Sequence, residues 1–213
     1  MLVDVFPLFG LTISTPRLEL RLPREEELAD LADLAGQGVH RPGERPFLTP
    51  WTDGTHADRA RFVLRSHWHA LAGWEPEAWQ LSLGVFHDGR PLGIVTLHAR
   101  DFAVTREVTT WSWLGLDHHG FGYGTEARTA LLTLAFDHLG ATDAVSEVFQ
   151  DNIASQSVSR KLGYEHDGTS IGARDGEALV SDRLRLTVAR WRDRDHLAVT
   201  VTGLDRCRSA FGL

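Results

Sequence analysis

Two stretches of this chain carry residue types at a spacing that chemistry would impose. In the first, an apolar run from Trp111 to Leu116 breaks at Asp117 and His118. Gly120, Phe121, Gly122, Tyr123 and Gly124 then alternate glycine with an aromatic, and Thr125, Glu126 and Ala127 open a long helical pattern. Strand, glycine loop and helix N-terminus in that order make an anion site. Amides that a Cβ would screen become accessible, and the helix dipole adds positive potential at the same end. The expected ligand is a phosphate-bearing cofactor. The second stretch is Asn152-Ile153-Ala154-Ser155, followed by Lys161-Leu162-Gly163-Tyr164. By residue type alone, Asn152 reads as a helix cap and Ser155 as a first-turn helix residue.

Rival motifs fit less well. Gly122, Gly124 and Ala127 satisfy the GxGxxA dinucleotide pattern, but that pattern follows a domain's first strand and opens a βαβ unit. Here it follows an antiparallel run in mid-chain. A Walker loop fails because no Gly-Lys-Ser/Thr follows. Eleven histidines invite a metal reading, yet none forms an HExxH pair, and His67 and His69 at i,i+2 face different sides of a helix. No metal site is expected. Cys207 is the one cysteine, which excludes an internal disulfide and any cysteine-based zinc cluster. Packing is the expected role for a lone cysteine so near the C-terminus.

The elements that must position these residues follow in chain order. Leu18, Leu20 and Leu22 alternate with charged residues, so Leu11 to Leu22 reads as a strand. Pro23 opens a helix through Ala35, with an acidic first turn and a stripe of Leu28, Leu31 and Leu34. Val39 to Gly54 is a loop rich in proline and aromatics, and Phe47 and Trp51 within it are candidate substrate-lining residues. A helix from Thr55 or His56 to Ala72 precedes strands at Trp79–Phe86 and Pro91–His98, joined by a hairpin signal at Asp88-Gly89. Arg106 to Leu116 is a third strand and ends at the glycine loop. The helix from Thr125 to Leu139 stops at Gly140, and a strand from Ala144 to Phe149 leads to a short helix capped by Gly163. Tyr164 onward pairs with Ala178–Val188 around Asp175-Gly176. One compact domain with a mixed sheet is expected over residues 1–190. An addition follows at 191–213: a strand from His196 to Thr202 and a tail from Gly203, docked on its own domain or on a second subunit.

Composition narrows the function classes. The 213 residues are 42% hydrophobic and 24% charged, ordinary for a soluble globular protein. A net charge of −7 argues against nonspecific nucleic-acid binding, which needs clustered Lys and Arg. The start, MLVDVFPLFG, lacks a basic n-region and carries Asp4 and Pro7, so no secretory signal is expected. No apolar run approaches bilayer length. The expected compartment is the cytoplasm, with no membrane partner.

Taken together, the two stretches resemble the Gcn5-related N-acyltransferase (GNAT) superfamily. Its cofactor loop, Arg/Gln-x-x-Gly-x-Gly/Ala, is matched by His119 to Gly124 except at the first position, and its later motif is matched from Asn152 to Tyr164. Thr15-Pro16-Arg17-Leu18 and Glu126-Ala127 are similar to the branch that acylates N-termini of ribosomal proteins. More narrowly, Gly38-Val39-His40, Pro50-Trp51-Thr52, Trp113-Leu114-Gly115-Leu116 and the tail Asp205-Arg206-Cys207-Arg208 resemble actinobacterial succinyltransferases of the superfamily.

The resemblance implies an α/β (α+β) fold with a central, mostly antiparallel mixed sheet flanked by helices. It implies acyl-CoA, with acetyl-CoA or succinyl-CoA as donor, and a small-molecule or peptide amine as acceptor, joined in a ternary complex without a covalent intermediate. Backbone groups at Trp113, Leu114 and Leu116 would hold the pantetheine, and amides from Phe121 to Thr125 the pyrophosphate. Ser155 would be the acid for the departing thiolate, Asn152 a cofactor ligand, and Glu147 the candidate base, with a solvated strand position as its plain alternative. His119 replaces the usual Arg or Gln, which removes a permanent charge or an amide from that position. Two other classes stay open: a degenerate acyl-CoA-binding module, and an NAD-binding oxidoreductase. A homo-oligomer is also possible on this reading.

Overall fold

The computed structural model describes residues 1–213. A short helix α1 (Leu2–Val5) leads to β1 (Thr12–Ser14) and β2 (Glu19–Arg21), followed by α2 (Glu25–Gln37) and α3 (His56–Ala72). β3 (Ala78–His87), β4 (Arg90–Arg100), a turn of helix α4 (Phe102–Thr105) and β5 (Glu107–Leu114) come next, then α5 (Tyr123–Thr133) and β6 (Asp143–Phe149). The chain closes with α6 (Ile153–Leu162), β7 (Glu165–Arg174), β8 (Glu177–Thr187), α7 (Val188–Arg192) and β9 (Thr200–Thr202). All nine strands form one sheet in the order β7-β8-β6-β5-β4-β3-β2-β1-β9. Every neighbouring pair is antiparallel except β5 and β6. The mixed, mostly antiparallel sheet flanked by helices is the expected class.

The two hairpins are written in their turns. Asp88 and Gly89 take φ of +49° and +75°, and Asp175 and Gly176 take +53° and +80°. Two consecutive left-handed residues are what a two-residue hairpin needs to match strand twist, and Asp-Gly supplies them at low strain. On one face of the sheet, α5 packs with β-strand residues such as Leu83, Val95, Val108 and Val148 in the main core. On the other, α2 and α3 pack over Phe86, Ile94 and Trp113 in a second core.

Three expectations are corrected. Leu11 to Leu22 is two strands, because Pro16 removes a donor and Thr15 bends the chain, its Oγ1 accepting from Leu18 N at 2.9 Å. The helix after the glycine loop widens into a π-helical turn from Leu134 to Leu139 before Gly140 ends it in the left-handed region. Only Thr200–Thr202 of the segment from His196 is strand, added at the sheet edge beside β1. The His196 ring stacks on Trp191 at 3.5 Å and its Nε2 lies 2.7 Å from Trp191 O, which holds the preceding residues off the sheet.

Candidate active site

The sheet opens where β5 and β6 part. They pair from Glu107↔Asp143 to Thr109↔Val145 and no further. β5 stays bonded to β4 as far as Leu114, and β6 stays bonded to β8 as far as Phe149. Each strand is thus held by its outer neighbour while the two diverge, leaving a wedge whose inner edges carry unused backbone groups. Gly115 N donates to Leu92 O at 2.9 Å, which sets the phase of the β4–β5 ladder. By that phase Trp113 turns its backbone toward β4, and Ser112 and Leu114 turn theirs into the wedge.

This redistributes the expected strand ligands. The Trp113 indole is buried in the second core, and its backbone is engaged with β4. Leu116 N donates to Gly38 O at 3.0 Å and has nothing left to offer. Leu114 faces the wedge, and Ser112, which carries no motif signal in the sequence, faces it too. His119 plays a different part, because its Nε2 lies 3.1 Å from Leu114 O and the imidazole fastens the end of β5. The histidine that departs from the usual Arg or Gln acts on the strand end.

The loop after β5 is shaped by glycine and left chemically open. Gly120 and Gly122 take φ of +84° and +83°, a region that other residues enter under strain. The first capping bond of α5 runs from Glu126 N to Gly122 O at 3.1 Å. The amides of Gly120, Phe121, Gly122, Tyr123, Gly124 and Thr125 have no acceptor within the protein, and no side chain caps the helix. Six free amides at a helix N-terminus form a cradle for a polyanion.

The two sequence features assigned to a ribosomal branch prove to be one physical unit. Glu126, 5% exposed, accepts from Thr15 Oγ1 at 2.6 Å, from Arg17 N at 3.1 Å and from Arg17 Nε at 2.6 Å. Arg17 Nη1 also donates to Phe121 O at 3.1 Å, and its guanidinium lies over the Tyr123 ring at 4.8 Å. Burial alone would raise the Glu126 carboxyl; the hydrogen bonds from Thr15 and Arg17 outweigh it and hold the group below the usual range. The β1–β2 turn therefore braces the glycine loop from outside.

Acid and base candidates lie on opposite faces of the opening. Asn152 caps α6, its Oδ1 accepting from Ser155 N at 3.1 Å, and its amide nitrogen remains free. Ser155 is half-buried and its hydroxyl has no partner in the protein. Ala144 and Val148 of β6 enter the main core, so alternation puts Glu147 on the opposite face, with Trp111 and Trp113. Glu147 is exposed, and Arg183, its register partner, donates instead to Asp167 O at 3.0 and 2.6 Å. The Glu147 carboxylate is thus unpaired.

The loop from Val39 to Gly54 roofs the Glu147 face. Phe47 is half-buried, with its ring 5.2 Å from Trp51 and 5.9 Å from Trp111. Trp51 is 7% exposed and stacks on Phe62 at 4.9 Å, so it belongs to the second core and supports the lining residues from below. Trp111, 39% exposed, is the aromatic that reaches the open face. The roof is pinned by a residue absent from the sequence expectations. Buried Arg174 of β7 donates to Phe47 O at 2.7 Å and to Asp53 Oδ2 at 2.6 Å. Beneath Trp111, His67, Gln80 and Ser82 help line a cavity of about 30 Å³, room for one water. Burial there pushes His67 down to about 4, leaving it neutral at physiological pH. Cys207 is buried, its thiol pushed up to about 11 by burial, and it packs rather than reacts.

Comparison with known proteins matches this arrangement. A family model described as an acetyltransferase (GNAT) domain matches residues 17–165. The GNAT-family acetyltransferase from Bacillus anthracis superposes with a TM-score of 0.63 at 14% identity, covering 84% of this chain and 99% of that one. RimL, a ribosomal L7/L12 alpha-N-protein acetyltransferase, gives 0.63 at 16% identity, with 81% and 91% covered. The microcin C7 self-immunity acetyltransferase MccE, in complex with acetyl-CoA and AMP, gives 0.63 at 18%, with 81% and 93% covered. At these identities the likeness is one of fold. With its sheet opened between β5 and β6 and its matched domain spanning most of its length, the chain belongs to the GNAT acetyltransferase family.

Proposed function

We propose that the protein is a CoA-dependent N-acyltransferase that moves an acetyl or succinyl group from acyl-CoA to an amine in a ternary complex. One observation carries the reading: the wedge between β5 and β6 runs directly into six consecutive amides with no internal acceptor. A thioester carried on a pantetheine arm with a pyrophosphate at its far end has that shape and that charge. The loop from Gly120 to Thr125 would take the pyrophosphate, Ser112 and Leu114 the pantetheine amides, and the Asn152 amide nitrogen a further acceptor of the cofactor. The amine would approach from the Trp111 face, beneath Phe47. Glu147 would take its proton there, directly or through a water, while Ser155 on the other face supplies a proton to the sulfur. Acyl transfer needs both, because the amine must be uncharged to attack and a thiolate leaves more readily when protonated or hydrogen-bonded.

The sequence resemblance suggests succinyl-CoA as the narrower donor and acetyl-CoA as the general one. A thermal-shift titration with acetyl-CoA, succinyl-CoA, free CoA and NAD tests the reading and ranks the donors. At about 100 times its dissociation constant, a bound ligand adds roughly 2.7 kcal/mol. Stabilisation by NAD and by no CoA species would overturn the proposal. Release of free thiol in the presence of candidate amines then separates an enzyme from a binding module, which would bind CoA and release none.

A further inference from the structure

Between α5, α6 and the parting end of β5 lies a buried polar cluster of Thr110, Arg128, Ser159 and Tyr164. Arg128 is 4% exposed and Ser159 0%. Arg128 Nη2 donates to Thr110 Oγ1 at 2.8 Å and Nη1 to Ser159 Oγ at 3.4 Å. Its guanidinium carbon lies 5.3 Å from the centre of the Tyr164 ring, and the Tyr164 hydroxyl is 3.3 Å from Thr110 Oγ1. Nε is buried without any partner. Two hydroxyls and a ring are all that hold this cation; no carboxylate pairs with it. Arg174, equally buried, has Asp53.

A buried guanidinium stays charged, and without a counter-ion it is costly to keep. A methionine would fill the same space. The charge is retained at a particular place. Thr110 is the first β5 residue beyond the last pairing with β6, so the cluster sits at the closed end of the wedge. Ser159 is four residues, just over one turn and about 6 Å along α6, from Ser155, whose hydroxyl is free.

We propose that Arg128 is an electrostatic positioning residue that favours negative charge on the sulfur leaving the thioester at the closed end of the wedge; this rests on the acyl-CoA reading above. In the transfer, the amine nitrogen attacks the thioester carbonyl carbon. The C–N bond forms, the C–S bond breaks, and the electron pair departs on sulfur. The amine's proton passes to Glu147 or water. Arg128 keeps its proton throughout and supplies a fixed positive potential in a site with little water to screen it. Ser155, one turn nearer the wedge mouth, supplies the proton or hydrogen bond that the sulfur accepts.

The test is a binding measurement. Affinities of free CoA and of its S-methyl thioether are measured by calorimetry from pH 6 to pH 9. The thioether has the same arm and phosphates but cannot ionise at sulfur. Wild-type protein is expected to favour CoA over the thioether increasingly as pH rises, by several-fold between pH 6 and pH 9, because a thiol of pKa about 8.5 lowered by one unit on binding approaches a tenfold gain only once pH exceeds both values. Arg128→Met is expected to lose this dependence, and Arg128→Lys to restore part of it. A CoA-to-thioether ratio that does not change with pH in wild type overturns the proposal, whether or not the variants fold. So does a folded Arg128→Met protein with the wild-type dependence. Failure of both ligands to bind would instead remove the acyl-CoA reading itself.

Discussion

On the proposed mechanism Ser155 and Glu147 divide the proton chemistry, with the sheet lying between them. The pairing register makes the division physical: β6 sends Val148 into the core beneath α5 and, one residue earlier, Glu147 to the opposite face. Ser155→Ala is expected to lower turnover by on the order of 10²-fold while leaving CoA affinity within about twofold, since no protein group depends on its hydroxyl. Steady-state kinetics beside a CoA titration checks this, and wild-type turnover in the variant would strip Ser155 of its role. His67 yields a prediction about stability. Its imidazole is neutral in the fold down to about pH 4, whereas in the unfolded chain it protonates near 6.5. Between those values the unfolded state binds the extra proton, so stability is complete above about pH 6.5 and declines as pH falls toward 4. The decline attributable to this one group reaches about 3 kcal/mol. Urea midpoints at pH 7 and pH 4.5 should draw together in His67→Gln relative to wild type; equal separation in both proteins would refute it.

At the scale of elements, what is legible in the sequence is what local chemistry determines. Asp-Gly pairs announce both hairpins, and glycines alternating with aromatics announce the loop, because left-handed backbone has few residues that accept it. Asn152 and Gly163 bound α6 for the same kind of reason. Alternation in β5 is visible too, but its phase against β4 is not, so Trp113 reads as a wedge residue in place of Ser112. Contacts between distant segments leave no local trace. Arg174 and Asp53 stand 121 positions apart, and neither has a neighbour pattern that marks it. Glu126 and Arg17 both stand out in the sequence, yet only folding shows them to be one brace between β2's approach and the first turn of α5. Arg17→Met leaves the Glu126 carboxylate buried against Thr15 alone. The cost is about 1–2 kcal/mol, discounted because Arg17 is itself 43% exposed. CoA affinity is expected to fall in the same variant, since Arg17 also holds the Phe121 carbonyl. The depressed Glu126 carboxyl contributes stability above the ordinary glutamate range that is lost as pH falls through its lowered value. Acid unfolding of Arg17→Met should therefore begin from a lower plateau and show a shallower acid limb. Unchanged CoA affinity would confine the brace to stability.

The whole molecule closes on its own tail. β9 pairs with β1 at the sheet edge, and past Gly203 the chain lays Leu204, Cys207 and Phe211 into the main core. Phe211 meets Trp79 edge-on at 5.0 Å and Trp74 at 5.5 Å, and Trp74 Nε1 donates to Ala210 O at 2.8 Å. Trp79 lies at the start of β3, next to its first residue Ala78, and β3, through β4, positions β5 and so the wedge. The tail is thus a wall of the core. Its place in the sequence suggests an addition, docked on its own domain or a partner, because so short a run with arginines and glycines shows no amphipathic period long enough to read. Removing residues 204–213 deletes three fully or nearly buried side chains, at roughly 2–5 kcal/mol for each of the two large ones. The sum approaches the whole stability of an ordinary domain, about 5–15 kcal/mol. The truncated protein is expected to be largely unfolded at 37 °C and to recover partly when saturated with CoA, since a ligand that binds only the folded state pulls the equilibrium back. Far-ultraviolet circular dichroism with and without CoA measures both effects. A truncated chain melting cooperatively within a few degrees of wild type would show that the tail is an appendage and that the core closes without it.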